Sequence, residues 1–129
     1  MLLENNNNMK QLTKAEEQIM QALWQTGPAF VKDIIEALPE PKPHYNTVST
    51  LVKILIEKGF IDFKAYGKSH QYFPLVTKEA YSHKTLNNLA KSYFGGSFSN
   101  MVSFFVKEKD LSLTDLEQLV QKIKDTQKK

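Results

Sequence analysis

The chain has 129 residues and a mass of 14.8 kDa, with 41% hydrophobic and 24% charged residues. That is the size and composition of one small globular domain, with or without an assembly appendage, and it excludes disorder over most of the length. All 17 basic residues are Lys, against 14 acids, and Cys is absent; Arg forks, disulfides, thiolate metal sites and Cys nucleophiles are therefore excluded, while a net charge of +3 does not by itself establish a polyanionic partner.

No run of 18 apolar residues is present, so no membrane-spanning helix is expected. Residues 1–9 (MLLENNNNM) lack the basic start and apolar stretch of a secretory signal. With four consecutive Asn they read as a flexible leader, and the chain as cytoplasmic. Thr13 and Glu16 then stand at the spacing of a capping box. Ala15, Ile19, Ala22 and Leu23, widened by Met20 and Trp24, form a helical stripe that Gly27-Pro28 stops. Val31, Ile34, Ile35 and Leu38 repeat the pattern in a short second helix, ended by three prolines between 39 and 43. A third helix runs from Tyr45 to Lys58, burying Val48, Leu51, Val52 and Leu55, with Gly59 just past its end.

The period then changes to about two. Residues 60–66 read as a strand, 67–69 as a turn and 70–73 as the return strand, closed by Pro74. Thr77 caps a fourth helix that Gly95-Gly96 ends. Phe98, Met101, Val102 and Phe105 mark a fifth. Ser112 and Asp115 form an acidic capping box for a sixth, with Leu111 and Leu116 as a hydrophobic staple. The expected architecture is mainly α with a small β-hairpin: a leader (1–9), a winged helix-turn-helix (10–75) and a helical dimerisation arm (76–129).

In a winged helix the third helix enters the major groove and the hairpin touches the flanking backbone. Asn46 has the donor–acceptor pair for adenine, Ser49 and Thr50 can bond bases or phosphates, and Tyr45 and Thr47 suit phosphate. Lys53 continues this face, which carries no acid before Glu57. Lys64, Lys68 and Ser69 arm the wing tip. Each also has a plainer reading: Asn46 or Thr47 as helix cap, Lys68 as a solvated turn residue, Tyr45 as packing on neighbouring helices, Trp24 as core. The combination and its order carry the inference.

Leu12-Thr13-Lys14-Ala15-Glu16, Ile19-Met20, Leu23-Trp24 and Gly27-Pro28 resemble the opening of the penicillinase-repressor family, which includes repressors of β-lactamase and methicillin-resistance genes and copper-responsive repressors. The resemblance continues through Asn46-Thr47-Val48-Ser49-Thr50-Leu51, Lys58-Gly59-Phe60, Tyr66-Gly67-Lys68 and Tyr72-Phe73-Pro74. It resumes at Tyr93-Phe94-Gly95-Gly96-Ser97, Met101-Val102 and Phe104-Phe105, so that it spans about Lys10 to Lys124. It implies a homodimeric repressor on an inverted-repeat DNA operator. In the antibiotic-responsive branch it also implies a membrane sensor protease whose signal leads to cleavage in the arm. The chain departs from the family in three places. It has no Cys-rich tail, Ser103-Phe104 stands where those relatives carry the Asn-Phe cleavage bond, and Ile54 stands where relatives often carry Arg.

Leu89, Tyr93, Phe94, Phe98, Met101, Val102, Phe105, Leu116 and Val120 are the expected dimerisation residues, because short helices cannot bury so much apolar surface alone. The other option is that they cover the winged helix in cis. A C₂ dimer sets half-sites about 10 bp apart, or a multiple of that. Two other functions remain open. A winged-helix protein-interaction module fits the near-neutral front part, and a salt-sensitive gel shift discriminates it. A small-molecule-sensing regulator fits the many aromatics, and thermal shifts with ligands test it. Catalysis is not expected: His44, His70 and His83 have no metal-ligand spacing, and no nucleophile–base set or phosphate loop is visible. No cofactor is expected.

Overall fold

Sequence-local capping residues mark where four of the described helices start. The computed structural model describes residues 10–108 and 112–127. Among them, α1 (Lys14–Thr26) opens on a complete capping box. The Thr13 hydroxyl accepts from the Glu16 N–H at 3.2 Å, and the Glu16 carboxylate accepts from the Thr13 N–H at 3.0 Å. Helix α2 (Val31–Ala37) follows, and then α3 (Tyr45–Glu57). The exit of α3 is a Schellman motif: Gly59 (φ +83°) donates to Ile56 O and Phe60 donates to Leu55 O, both at 3.0 Å. The left-handed Gly59 conformation is the one that a Cβ disfavours.

That motif accounts for one difference from the expected strand. Phe60 is spent on closing the helix and is buried, so β1 (Ile61–Tyr66) starts one residue later. It pairs antiparallel with β2 (Ser69–Pro74), from Ile61↔Pro74 to Tyr66↔Ser69. The turn is therefore Gly67-Lys68, with Gly67 at φ +62°; Ser69 belongs to the strand rather than the turn, and Pro74 closes β2 from inside it. Ala29 exchanges two backbone hydrogen bonds with Tyr72, at 2.9 and 2.8 Å, tying the chain ahead of α2 to the wing.

The core of this first unit is built by α1, α2, α3 and the hairpin base. Ile19, Met20, Leu23, Ile34, Val48, Val52, Leu55, Phe60 and Ile61 are fully buried. Ala15, expected on the buried stripe, faces solvent, and Glu16 is buried beside it. Leu51 and Ile35 are half-buried against the core. Glu16 is tolerated inside because Lys58 reaches it at 2.6 Å and donates also to Gln11 O at 3.2 Å. Burial pushes the Glu16 carboxyl up, but Lys58 and the Thr13 amide outweigh that and hold it below its ordinary 4.5.

The first compact unit ends at Lys84 and so takes in the first turns of α4 (Lys78–Tyr93). The reason is Tyr81. Its ring lies 5.7 Å from Phe60 and 6.0 Å from Trp24. Its hydroxyl donates to the Glu17 carboxylate at 3.1 Å and accepts from the Leu12 N–H at 3.4 Å. Trp24 is half-buried, and its indole N–H donates to Val76 O at 2.9 Å. Thr77 caps α4 through the Ala80 N–H at 3.0 Å.

The second unit, from Thr85, holds the rest of α4, then α5 (Phe98–Lys107) and α6 (Leu113–Gln127). Ser97 caps α5 and Ser112 caps α6, the latter reciprocally with Asp115. Ala90 and Met101 are buried, and the Phe94 and Phe104 rings meet at 5.6 Å. The leader and Leu111, the outer half of the expected staple, lie outside the described residues.

Candidate nucleic-acid interface

Helix α3 presents two unlike faces. Val48, Val52 and Leu55 point into the core and are fully buried. Tyr45, Asn46, Thr47, Thr50 and Lys53 are exposed, Tyr45 to 59%, and Ser49 is half-buried. The apolar side fixes the helix in place and leaves the polar side free to read a ligand.

The N-cap is His44, not Asn46 or Thr47, and no side chain accepts a hydrogen bond from the first turn. The extended His44 after Pro43 is the cap and Tyr45 the first helical residue, which puts Asn46 and Thr47 inside the helix. This frees both side chains from capping. It also leaves first-turn N–H groups without a side-chain acceptor, unlike those of α1, α4, α5 and α6. The Thr50 hydroxyl donates to Asn46 O at 3.0 Å, so it offers a partner its lone pairs and its methyl group rather than its proton.

The wing stands beside this face. Lys64 Nζ lies 5.6 Å from the centre of the Tyr66 ring, and that ring meets Phe30 edge to face at 6.0 Å. His70 stacks on Phe63 at 4.2 Å. A cleft of about 520 Å³ opens between the wing, α2 and the start of α3, bringing Tyr45, Lys68 and Ser69 together. It also brings in Lys32, which sequence reasoning missed. Lys32 sits on a short helix outside the expected reading unit, and nothing local marks it. Burial, with the Tyr45 phenol nearby, pushes the Tyr72 phenol above its ordinary 10.0.

Electrostatics sort the lysines. Lys58 is committed to Glu16, and Lys42 donates to Glu36 O at 2.8 Å and to Leu38 O at the end of α2. Lys32, Lys53, Lys64 and Lys68 are exposed and make no ion pair among the described residues. These four unpaired cations lie on α2, α3 and the wing.

In the second unit, Leu89, Tyr93, Phe98, Phe105 and Val120 are exposed, Tyr93 to 76%. Phe94, Val102 and Leu116 are half-buried, and Met101 is buried within its own chain. Ser103 and Phe104 both lie within α5 and are exposed. Among the described residues no group of three His, Cys, Asp or Glu side chains could hold a metal ion, and no helix is long and apolar enough to cross a membrane.

Comparison with known proteins agrees with this layout. The family described as Penicillinase repressor matches residues 12–125. The methicillin resistance regulatory protein MecI of Staphylococcus aureus (strain N315) is 33% identical over 115 residues, covering 88% of this chain and 94% of that protein. The penicillinase repressor of Bacillus licheniformis is 22% identical over 112 residues, covering 86% of this chain and 88% of that protein. The solved DNA binding domain of the repressor BlaI shares the fold, with a TM-score of 0.50 and 23% identity over 57% of this chain and 90% of that one. Identity at one residue in three across both units, and a family match running from Leu12 to Asp125, lead to one conclusion: the chain belongs to the penicillinase-repressor family.

Proposed function

We infer that the chain is a DNA-binding transcriptional repressor of resistance-gene type, acting as a homodimer on an inverted-repeat operator. The observation that carries this reading is α3: a helix pinned by a buried apolar face, with an uncapped start and an exposed, acid-free row of Tyr45, Asn46, Thr47, Thr50 and Lys53. Asn46, Ser49 and Thr50 meet base edges in the major groove, while Tyr45, Thr47 and Lys53 hold the flanking backbone. Lys64, Lys68 and Ser69 anchor the wing on the neighbouring phosphates. The relatives named as resistance regulators and penicillinase repressors support this role. The family is one of repressors rather than enzymes, and a DNA target places the chain in the cytoplasm.

The exposed apolar side chains of the second unit support a homodimer. Leu89, Tyr93, Phe98, Phe105 and Val120 are large, lie close in sequence on α4, α5 and α6, and await a partner surface. A membrane sensor protease is the proposed upstream partner, with Ser103-Phe104 as the candidate region for cleavage. DNase footprinting together with sedimentation equilibrium tests the reading. Two protected half-sites related by a dyad, on a species of twice the chain mass, are expected. A monomer, or a footprint without dyad symmetry, overturns it.

A further inference from the structure

A phosphodiester is gripped best at two points, which is why the planar guanidinium fork is the usual residue for the task. This chain has no Arg. A two-point ionic grip can then come only from two ammonium groups carried on different residues. The cleft between α2, α3 and the wing supplies that arrangement. Lys32, the second residue of α2, and Lys68, in the hairpin turn, both line it, and none of its lining residues is acidic.

The two elements are held in one frame. Ala29 and Tyr72 exchange backbone hydrogen bonds just ahead of α2, and Phe30 packs edge to face on Tyr66 next to the turn. Neither lysine has an ion-pair partner among the described residues. Like charges facing one cleft repel, and an anion seated between them relieves that repulsion. The hydroxyls of Tyr45 and Ser69 border the same space and add donors for the remaining oxygens.

We propose that this cleft seats a single phosphate of the operator strand, and that Lys32 and Lys68 close on it together as a two-lysine substitute for an arginine fork. The inference rests on the reading of α3 and the wing as the DNA face.

Salt dependence tests it on a duplex selected from a random pool by the full-length protein, comparing wild type with Lys32→Gln, Lys68→Gln and the double variant. Each single variant should flatten the plot of log affinity against log salt, but by less than the double variant does, because the remaining lysine still neutralises part of the phosphate charge. The double variant should flatten it by about 1.8, twice the value of about 0.9 for one phosphate, because the dimer seats one phosphate in each half-site. A second arm places single methylphosphonate linkages along the half-site. At one linkage the neutral group should weaken wild type but leave the double variant unaffected, and that linkage should be the same for both lysines. A drop of about 3.6 in the double variant, different linkages for the two lysines, or no change of slope in Lys32→Gln overturns the shared seat. Failure of the wild type to select any duplex overturns the DNA-face reading itself, and this inference with it.

Discussion

In the first unit Ile19, Met20, Leu23, Ile34, Leu55 and Phe60 are 1% exposed or less. In the second, Leu86, Tyr93, Phe104, Leu119 and Ile123 are 41–76% exposed, while Ala90 and Met101 are buried. Helix caps do not explain the contrast, because Ser97 and Ser112 cap the later helices as Thr13 caps the first. The difference is layering. In the first unit, three helices and a hairpin enclose a core from all sides, whereas the later helices present apolar stripes with nothing described to cover them. One unit is a complete domain, and the other resembles half of one, which the proposed homodimer would complete.

The sharpest way to break that comparison is to separate the units. A chain ended after Lys84 should stay folded, with an intact thermal transition, yet bind operator about 10²- to 10⁴-fold more weakly, because two linked half-sites no longer act together. Unchanged affinity in a gel shift would show the arm to be dispensable.

The completeness of the first unit can be attacked next. Tyr81 lies beyond the hairpin in sequence but inside the unit in space, so Tyr81→Ala in the fragment ending at Lys84 should cost about 3–5 kcal/mol in urea unfolding. A cost under about 1 kcal/mol would return the boundary to the end of the wing. Asn46→Ala probes the surface instead of the core. It should remove about 1–3 kcal/mol of base discrimination at one position per half-site, measured by binding to single-base operator variants, and leave stability within about 0.5 kcal/mol.

The smallest effect concerns pH. The Glu16 carboxyl is held below 4.5 in the folded chain, so its contribution to stability is present above pH 4.5 and is lost as pH falls through the lowered value. The acid limb of a stability–pH curve should be shallower in Glu16→Gln, and identical limbs would remove Glu16 as its source.

What could be read in the sequence was local. Thr13 with Glu16, Thr77 ahead of α4, Ser112 with Asp115 and Gly59 after α3 each act within a few residues, and pattern alone finds them. What could not be read links distant positions. Lys58 meets Glu16 across 42 residues, Tyr81 reaches Glu17 across 64, and Lys32 joins Lys68 only when the hairpin folds back toward α2. His44 displaced Asn46 as cap for a related reason. The expectation sought a hydrogen-bonding side chain, but this helix starts without one.

The Glu16 Oε1 atom receives both the Thr13 N–H and the Lys58 ammonium. A single oxygen thus marks where α1 begins and where α3 stops. Adding a turn to the latter would carry the ammonium about 5 Å out of reach, and removing one would draw it back as far. The 13 residues of α3 span about 20 Å, and under the proposed DNA-reading role that length limits how many base pairs one protomer can inspect.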